Sequence, residues 1–133
     1  MPQIKPTVLI ADDEEVIANT LAMILSKSGF EAHAVYSGEK ALEMVQVLKP
    51  DILISDVVMS GITGIETAIR TRAILPSCKI LLFSGQAATA NLLEKARADG
   101  NEFEILIKPV HPADLLARIR TPAPEDAIIL TSE

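Results

Sequence analysis

The sequence predicts an α/β fold in which a doubly wound parallel sheet carries helices on both faces. Five short apolar runs alternate with five segments of helical periodicity, and the runs span 7–12, 31–37, 51–56, 79–85 and 103–109. The third and fourth runs are almost continuous in Ile, Leu, Val or Phe, which is typical of strands buried on both faces. Regular alternation of this kind calls for parallel strands joined by right-handed helical crossovers.

Each predicted strand is followed by a helix that the spacing of apolar residues indicates. Ile17, Leu21, Ile24 and Leu25 form an amphipathic stripe and predict a helix over 14–28. The second strand has weaker residues than the others, so it is expected at an edge of the sheet. The remaining predicted helices span 38–48, 64–74, 87–99 and 112–120, with Gly or Pro near their ends.

Length and composition indicate one globular domain with an aliphatic core. The chain has 133 residues, of which 49% are apolar and 3% aromatic. We expect a domain over 1–120 and a tail or linker over 121–133, which begins Pro-rich. A net charge of −6 argues against direct nucleic-acid binding. The only cysteine, Cys78, excludes an internal disulfide and is expected to be packed and inert.

No apolar run is long enough to span a membrane, and the first residues lack the features of a secretory signal. A cytoplasmic location is therefore expected.

Polar residues stand at the predicted carboxyl ends of four strands. They are Asp12 and Asp13 after the first strand, Asp56 at the third, Ser84 and Gly85 at the fourth, and Lys108 and Pro109 at the fifth. Ligands of open α/β sheets bind beyond these ends. Three carboxylates, one hydroxyl and one ammonium are therefore expected to meet in one cleft.

Such a group of side chains predicts metal-assisted phosphoryl transfer. Clustered carboxylates are costly without a cation, and oxygen ligands suit Mg²⁺ or Ca²⁺ better than zinc. A lysine and a hydroxyl fit a phosphoryl group, and a carboxylate can serve as nucleophile to give an aspartyl-phosphate. Glu14 and Glu15 suit the positive N-terminus of the first helix and receive no chemical role.

Each polar residue taken alone has another interpretation. Asp12 or Asp13 can instead be interpreted as a helix N-cap, and Asp56 as a turn residue before a loop with two glycines. Ser84 before Gly85 is a turn signal, and Lys108 could be any solvated lysine. The joint placement of these residues at strand ends is what favours a site.

These residues lie in motifs that resemble the response-regulator receiver domain of two-component signalling. The motifs are VLIADDEE, PDILISDVVMSGITGIE, ILLFSG and ILIKPV, in the order of that family and within residues 8–119. The spacings also match, with 43 residues from Asp13 to Asp56 and 52 from Asp56 to Lys108. The resemblance implies a flavodoxin-like three-layer sandwich whose five-stranded parallel sheet has the order 2-1-3-4-5, with five helices.

The resemblance also implies a role for each matching residue. Asp56 matches the phospho-acceptor, Lys108 matches the lysine that pairs with the phosphoryl group, and Ser84 matches the hydroxyl residue that binds it. The implied Mg²⁺ ligands are the carboxylates of Asp12, Asp13 and Asp56 and the backbone carbonyl of Val58, with Asp12 acting more through water.

Three positions depart from the family pattern. Ile105 stands where Tyr or Phe is common, so the usual aromatic switch is absent or different. Ser60 replaces a common proline, which leaves its loop less stiff. The segment between Gly100 and Lys108 is also one residue longer than usual.

The predicted function is a receiver phosphorylated on Asp56 by a sensor histidine kinase or phosphotransfer protein, with Mg²⁺ as cofactor. Phosphorylation would alter the surface of the last two predicted helices and the last strand, and with it the binding of a downstream protein. The domain is expected to be a signalling module rather than an enzyme. The sequence is compatible with either a monomer or a homodimer. One alternative is a degenerate receiver that binds partners without phosphorylation, which Ile105 favours. A small Mg²⁺-dependent phosphatase with an aspartate nucleophile is the other, although this length leaves little room for a cap domain.

Overall fold

The chain folds as the predicted alternation of strands and helices. A computed structural model describes residues 5–85, 94, 95, 97, 98, 100, 103–108 and 111–120. The elements within these residues are β1 (Thr7–Ala11), α1 (Glu15–Lys27), β2 (Glu31–Val35), α2 (Gly38–Leu48), β3 (Ile52–Asp56), α3 (Gly64–Ile74), β4 (Lys79–Ser84), β5 (Glu104–Ile107) and α4 (Pro112–Arg120).

The five strands form one parallel sheet in the order β2-β1-β3-β4-β5. The predicted strand order and the edge position of the second strand are confirmed. The described residues contain four of the five predicted helices. The remaining helix, predicted over 87–99, falls largely outside the described residues. The predicted tail over 121–133 lies entirely outside them. Within the described part of the chain, no helix is both long and apolar enough to cross a membrane.

Side chains that alternate along β1 pack into two separate aliphatic cores. Ile10 packs with Leu25 of α1 and with Leu115 of α4. Leu9, whose side chain points to the other face of the sheet, packs with Val45 of α2. The molecule therefore has three layers, with α1 and α4 on one face of the sheet and α2 and α3 on the other.

The register of the strands brings their carboxyl ends together at one edge. It is fixed there by three pairs of residues: Ala11 with Ser55, Asp56 with Phe83, and Ser84 with Ile107. Asp12 and Lys108 each come one residue after the end of a strand. The sheet thus places the ends of four strands, which are distant in sequence, side by side.

A sharp turn between β3 and α3 depends on Gly64. The N–H of Gly64 donates to the carbonyl of Val57 over 2.8 Å. A Cβ atom at Gly64 would lie 1.9 Å from the backbone oxygen of Asp56. Thr63 caps α3, because its side chain accepts a hydrogen bond from the N–H of Glu66. The start of α3 is therefore packed directly against the end of β3.

Candidate functional site

Three carboxylates converge at the carboxyl edge of the sheet, as the sequence predicted. Asp12 and Asp13 follow β1, and Asp56 is the last residue of β3. One oxygen from each of the three lies within 4.8 Å of the others. Asp12 and Asp56 are only 1% and 7% exposed, whereas Asp13 is exposed. Two of the acids are therefore held largely away from water.

Lys108 supplies the positive charge that faces these acids. Its Nζ donates a 2.8 Å hydrogen bond to Oδ2 of Asp56 and lies 3.8 Å from Oδ2 of Asp12. The backbone N–H of Lys108 donates to the carbonyl of Ser84 over 3.0 Å, which fixes the lysine beside the end of β4. One ammonium is thus shared between two buried carboxylates.

Burial and charge shift the pKa values of Asp12 and Lys108. Burial raises the pKa of Asp12, and the charges of Asp56 and Glu14 add to this effect, while the Glu14 N–H and Lys108 oppose it. Partial burial by itself would lower the pKa of Lys108. The hydrogen bond and charge of Asp56, together with the other nearby acids, outweigh that burial and raise the pKa. Lys108 therefore remains an ammonium at neutral pH.

The two oxygens of Asp12 have different surroundings. Oδ1 accepts the backbone N–H of Glu14 over 2.9 Å. Oδ2 is buried and has no hydrogen-bond donor among the described residues. The alternative of Asp12 or Asp13 as N-cap of α1 is not observed, because Glu14 holds that position and its side chain makes no capping bond.

Asp13 is held by the loop that follows β3. Its Oδ2 accepts two hydrogen bonds from Ser60, one from the backbone N–H over 3.1 Å and one from Oγ over 3.3 Å. Ser60 lies 47 residues further along the chain. This contact joins the two loops that flank the acids.

The acids open onto a cleft of about 550 Å³. The described residues that line it are Asp13, Glu14, Asp56, Val58, Gly85 and Lys108. Val58 therefore lies where a backbone ligand was predicted. Ser84 ends β4 at the same edge of the sheet, beside Ile107 of β5, and is 8% exposed, although the cleft lining does not include it.

Glu14 was given no chemical role from the sequence, yet it lines the cleft. Its place in the β1–α1 loop, directly after the acidic pair, is the signal that could have indicated this position. Glu14 brings a fourth carboxyl group to the rim of the site.

A family model for the response regulator receiver domain matches residues 8–120. The chain belongs to this family. The receiver is 33% identical to the chemotaxis protein CheY of Thermotoga maritima over 107 residues, which cover 80% of this chain and 88% of the relative.

Two further comparisons describe the extent of this likeness. The receiver is 26% identical to the DNA-binding response regulator MtrA of Mycolicibacterium smegmatis over 90% of its own length, and it spans about half (51%) of that relative. The structure of the chemotaxis protein CheY4 of Vibrio cholerae is also similar, with a TM-score of 0.77 and 27% identity over 88% of this chain and 98% of that one.

Receiver domains are signalling modules that interact with histidine kinases and downstream effectors, and they typically bind Mg²⁺ at an acidic pocket. The donor set of this receiver fits that ion. All the clustered groups are oxygen donors, and Oδ2 of Asp12 is buried without a hydrogen-bond donor among the described residues. Three carboxylates facing one ammonium leave two negative charges uncompensated, which a divalent cation would balance.

Proposed function

We propose that this receiver accepts a phosphoryl group on Asp56 in a Mg²⁺-dependent reaction and then changes its binding to a downstream protein. A histidine kinase or a phosphotransfer protein would donate the group. The observation that carries the proposal is the 2.8 Å hydrogen bond from Lys108 to Asp56 beside the two other acids. The receiver would comprise residues 1–120, with 121–133 as tail or linker.

Four groups would hold the Mg²⁺: the carboxylates of Asp12, Asp13 and Asp56 and the backbone carbonyl of Val58. The clustering of the three carboxylates and the position of Val58 in the cleft support this set. When bound, the ion would neutralise the carboxylates and the charge that develops on the phosphoryl oxygens.

Asp56 would act as the nucleophile. One of its carboxylate oxygens forms a bond to the phosphorus of a phosphohistidine, and the P–N bond breaks with its electron pair going to the imidazole nitrogen. The product is an acyl phosphate on Asp56 and a free histidine on the donor. Lys108 already contacts Asp56, so its ammonium can form an ion pair with the oxygens of a phosphoryl group on that residue. The Ser84 hydroxyl, at the end of the adjacent strand, would supply a further donor.

Phosphorylation would be transmitted through Lys108 and β5. The new phosphate would compete with the Asp56 and Asp12 carboxylates for the same ammonium. Because Lys108 directly follows β5, a shift of its side chain acts on that strand. Ile105 of β5 is partly buried against the core beneath α2 and α3, and because it is an isoleucine it has no aromatic ring to report the change.

The downstream partner is expected to be a protein. The receiver carries a net charge of −6, which opposes direct contact with nucleic-acid phosphates. Among its relatives, CheY of Thermotoga maritima is a chemotaxis protein and MtrA is DNA-binding, but MtrA is about twice as long as the matched segment.

Mass spectrometry after incubation with acetyl phosphate and Mg²⁺ tests the proposal. We expect one phosphoryl adduct on the wild-type protein, no adduct on Asp56→Asn, and little adduct in EDTA. Asp51→Asn is the matched control, because Asp51 lies beside the opposite end of β3, where it accepts the N–H of Thr7. This variant should be phosphorylated like the wild type.

Two outcomes would overturn the proposal in favour of its alternatives. If no adduct forms even with a cognate kinase, the chain acts as a phosphorylation-independent binding module. Steady release of phosphate from added phosphoesters, lost in Asp56→Asn, would instead indicate a phosphatase.

A further inference from the structure

We propose that Ser60 is a positioning residue that competes with Mg²⁺ for Asp13 and thereby sets the Mg²⁺ concentration at which the site fills. This inference rests on the proposed function, because it takes Asp13 as a ligand of the ion. It adds to that function a specific control by a residue outside the implied ligand set.

The competition begins with the number of hydrogen bonds on one oxygen. Oδ2 of Asp13 accepts both the N–H and the Oγ–H of Ser60, at 3.1 and 3.3 Å. A carboxylate oxygen has two lone-pair sites. Ser60 therefore occupies both sites of this oxygen.

Both ways in which Asp13 can bind Mg²⁺ are weakened by these bonds. Because both lone-pair sites of Oδ2 already accept hydrogen bonds, coordination of Mg²⁺ through Oδ2 would need the loss of at least one bond from Ser60. Coordination through Oδ1 avoids that loss. It uses, however, a carboxylate from which the two donors have already drawn negative charge. In either case Ser60 lowers the affinity.

The loop that carries Ser60 is anchored independently of its hydroxyl. Oε2 of Glu39, in the first turn of α2, accepts the N–H of Ile62 over 3.2 Å. The N–H of Gly64 donates to the carbonyl of Val57. Replacing the exposed Ser60 side chain therefore removes a bond to Asp13 without releasing the loop.

Of the two donors of Ser60, only the hydroxyl can be removed by substitution with a residue other than proline. The backbone N–H remains in any substitution except proline, which lacks that donor. Ser60→Ala removes only the Oγ–H, and Ser60→Thr keeps it. The two variants thus separate the hydrogen bond from the effect of changing an exposed loop residue.

Isothermal titration calorimetry with Mg²⁺ measures the effect directly. We expect Ser60→Ala to bind Mg²⁺ about two- to tenfold more tightly than the wild type, which is the range for the net contribution of one hydrogen bond. Ser60→Thr should restore the wild-type affinity. Ser28→Ala is the matched control, because Ser28 donates its hydroxyl to the carbonyl of Ile24 at the far end of α1. Its affinity should be unchanged.

Amide hydrogen exchange in EDTA gives a second readout that needs no metal. The Ser60 amide should be protected in the wild type and should exchange faster in Asp13→Ala, which lacks the acceptor. Equal exchange in the two proteins would show that the contact is absent and would overturn the proposal.

The calorimetry separates failure of this inference from failure of the proposed function. If the wild type binds Mg²⁺ and Ser60→Ala binds it equally or more weakly, the role of Ser60 is wrong and the proposed function stands. A wild-type protein that binds no Mg²⁺ overturns both.

Discussion

Gly64 is the residue on which the position of Asp56 depends most directly. A Cβ atom there would lie 1.9 Å from the Asp56 backbone oxygen, so Gly64→Ala must push β3 and α3 apart. We expect the free energy of unfolding to fall by about 1–3 kcal/mol, as for an added methyl group in a closed core. Phosphorylation of the folded fraction should also slow. Urea unfolding and the acetyl-phosphate assay measure the two effects, and a variant of wild-type stability would contradict this packing.

Cys78 should be unreactive in the native protein. The thiol is 4% exposed, and burial raises its pKa to about 11, with smaller effects from nearby charges. At pH 8 about one thiol in a thousand is then ionised, and the thiolate is the reactive form. A thiol reagent such as DTNB should therefore label the native protein far more slowly than the protein in urea. Equally fast labelling of both would show that the thiol is accessible.

At the scale of elements, α3 contains a buried hydroxyl that has no hydrogen-bond partner among the described residues. Thr71 of α3 is 0% exposed, and its Oγ1 has no hydrogen-bond partner among the described residues. Valine has nearly the same shape without the hydroxyl. We therefore expect Thr71→Val to raise the free energy of unfolding by about 1 kcal/mol, measured by urea denaturation.

Thr67, one turn earlier on α3, is the matched control. It is equally buried, but its hydroxyl donates to the carbonyl of Thr63 over 2.9 Å. Thr67→Val should therefore lower stability. The interpretation fails if both substitutions change stability in the same direction.

Periodicity predicted the elements well where side-chain burial decides the structure. The helices over 38–48, 64–74 and 112–120 have the predicted bounds. The strands are shorter than their apolar runs; the first was predicted over 7–12 and ends at Ala11. Asp12 and Lys108 lie one residue past a strand end, where each still donates a backbone hydrogen bond to the neighbouring strand but no longer belongs to the regular strand.

For the whole molecule, Mg²⁺ binding should stabilise the fold against urea. A ligand that binds only the native state at a hundred times its Kd adds about 2.7 kcal/mol. Asp12→Asn should reduce this gain. The same variant should be more stable than the wild type in EDTA at neutral pH, because the raised pKa of Asp12 means that its ionisation costs the native state free energy.

The pH dependence of the stability difference between Asp12→Asn and the wild type in EDTA tests whether the pKa of Asp12 is raised. The cost of ionised Asp12 is absent at acidic pH, where the carboxyl is protonated in both states, and appears as the pH rises above the ordinary value of 3.8. The stability difference between variant and wild type should therefore shrink at low pH. A difference that grows on acidification would contradict a raised pKa.

The sequence predicted which residues the sheet brings together, but not how their side chains are bonded. Strand ends and motif spacing were sufficient to place Asp12, Asp13, Asp56 and Lys108 at one edge. The bond from Ser60 to Asp13 depends on the path of the loop after β3, and the place of Glu14 in the cleft lining depends on the path of the loop after β1. Neither has a periodic signature in the sequence.

The contact between Lys108 and Asp56 also affects the order in which the chain can fold during synthesis. The two residues are 52 positions apart, and the described ion pairs of Asp12 and Asp56 are both with Lys108. Domains are built from the N-terminus at about 5–20 residues per second, so β1 and β3 leave the ribosome seconds before β5. A nascent chain that pairs β1 with β3 early brings its acids together before their countercharge exists. Electrostatic repulsion then opposes closure of this edge until either a cation or Lys108 is present.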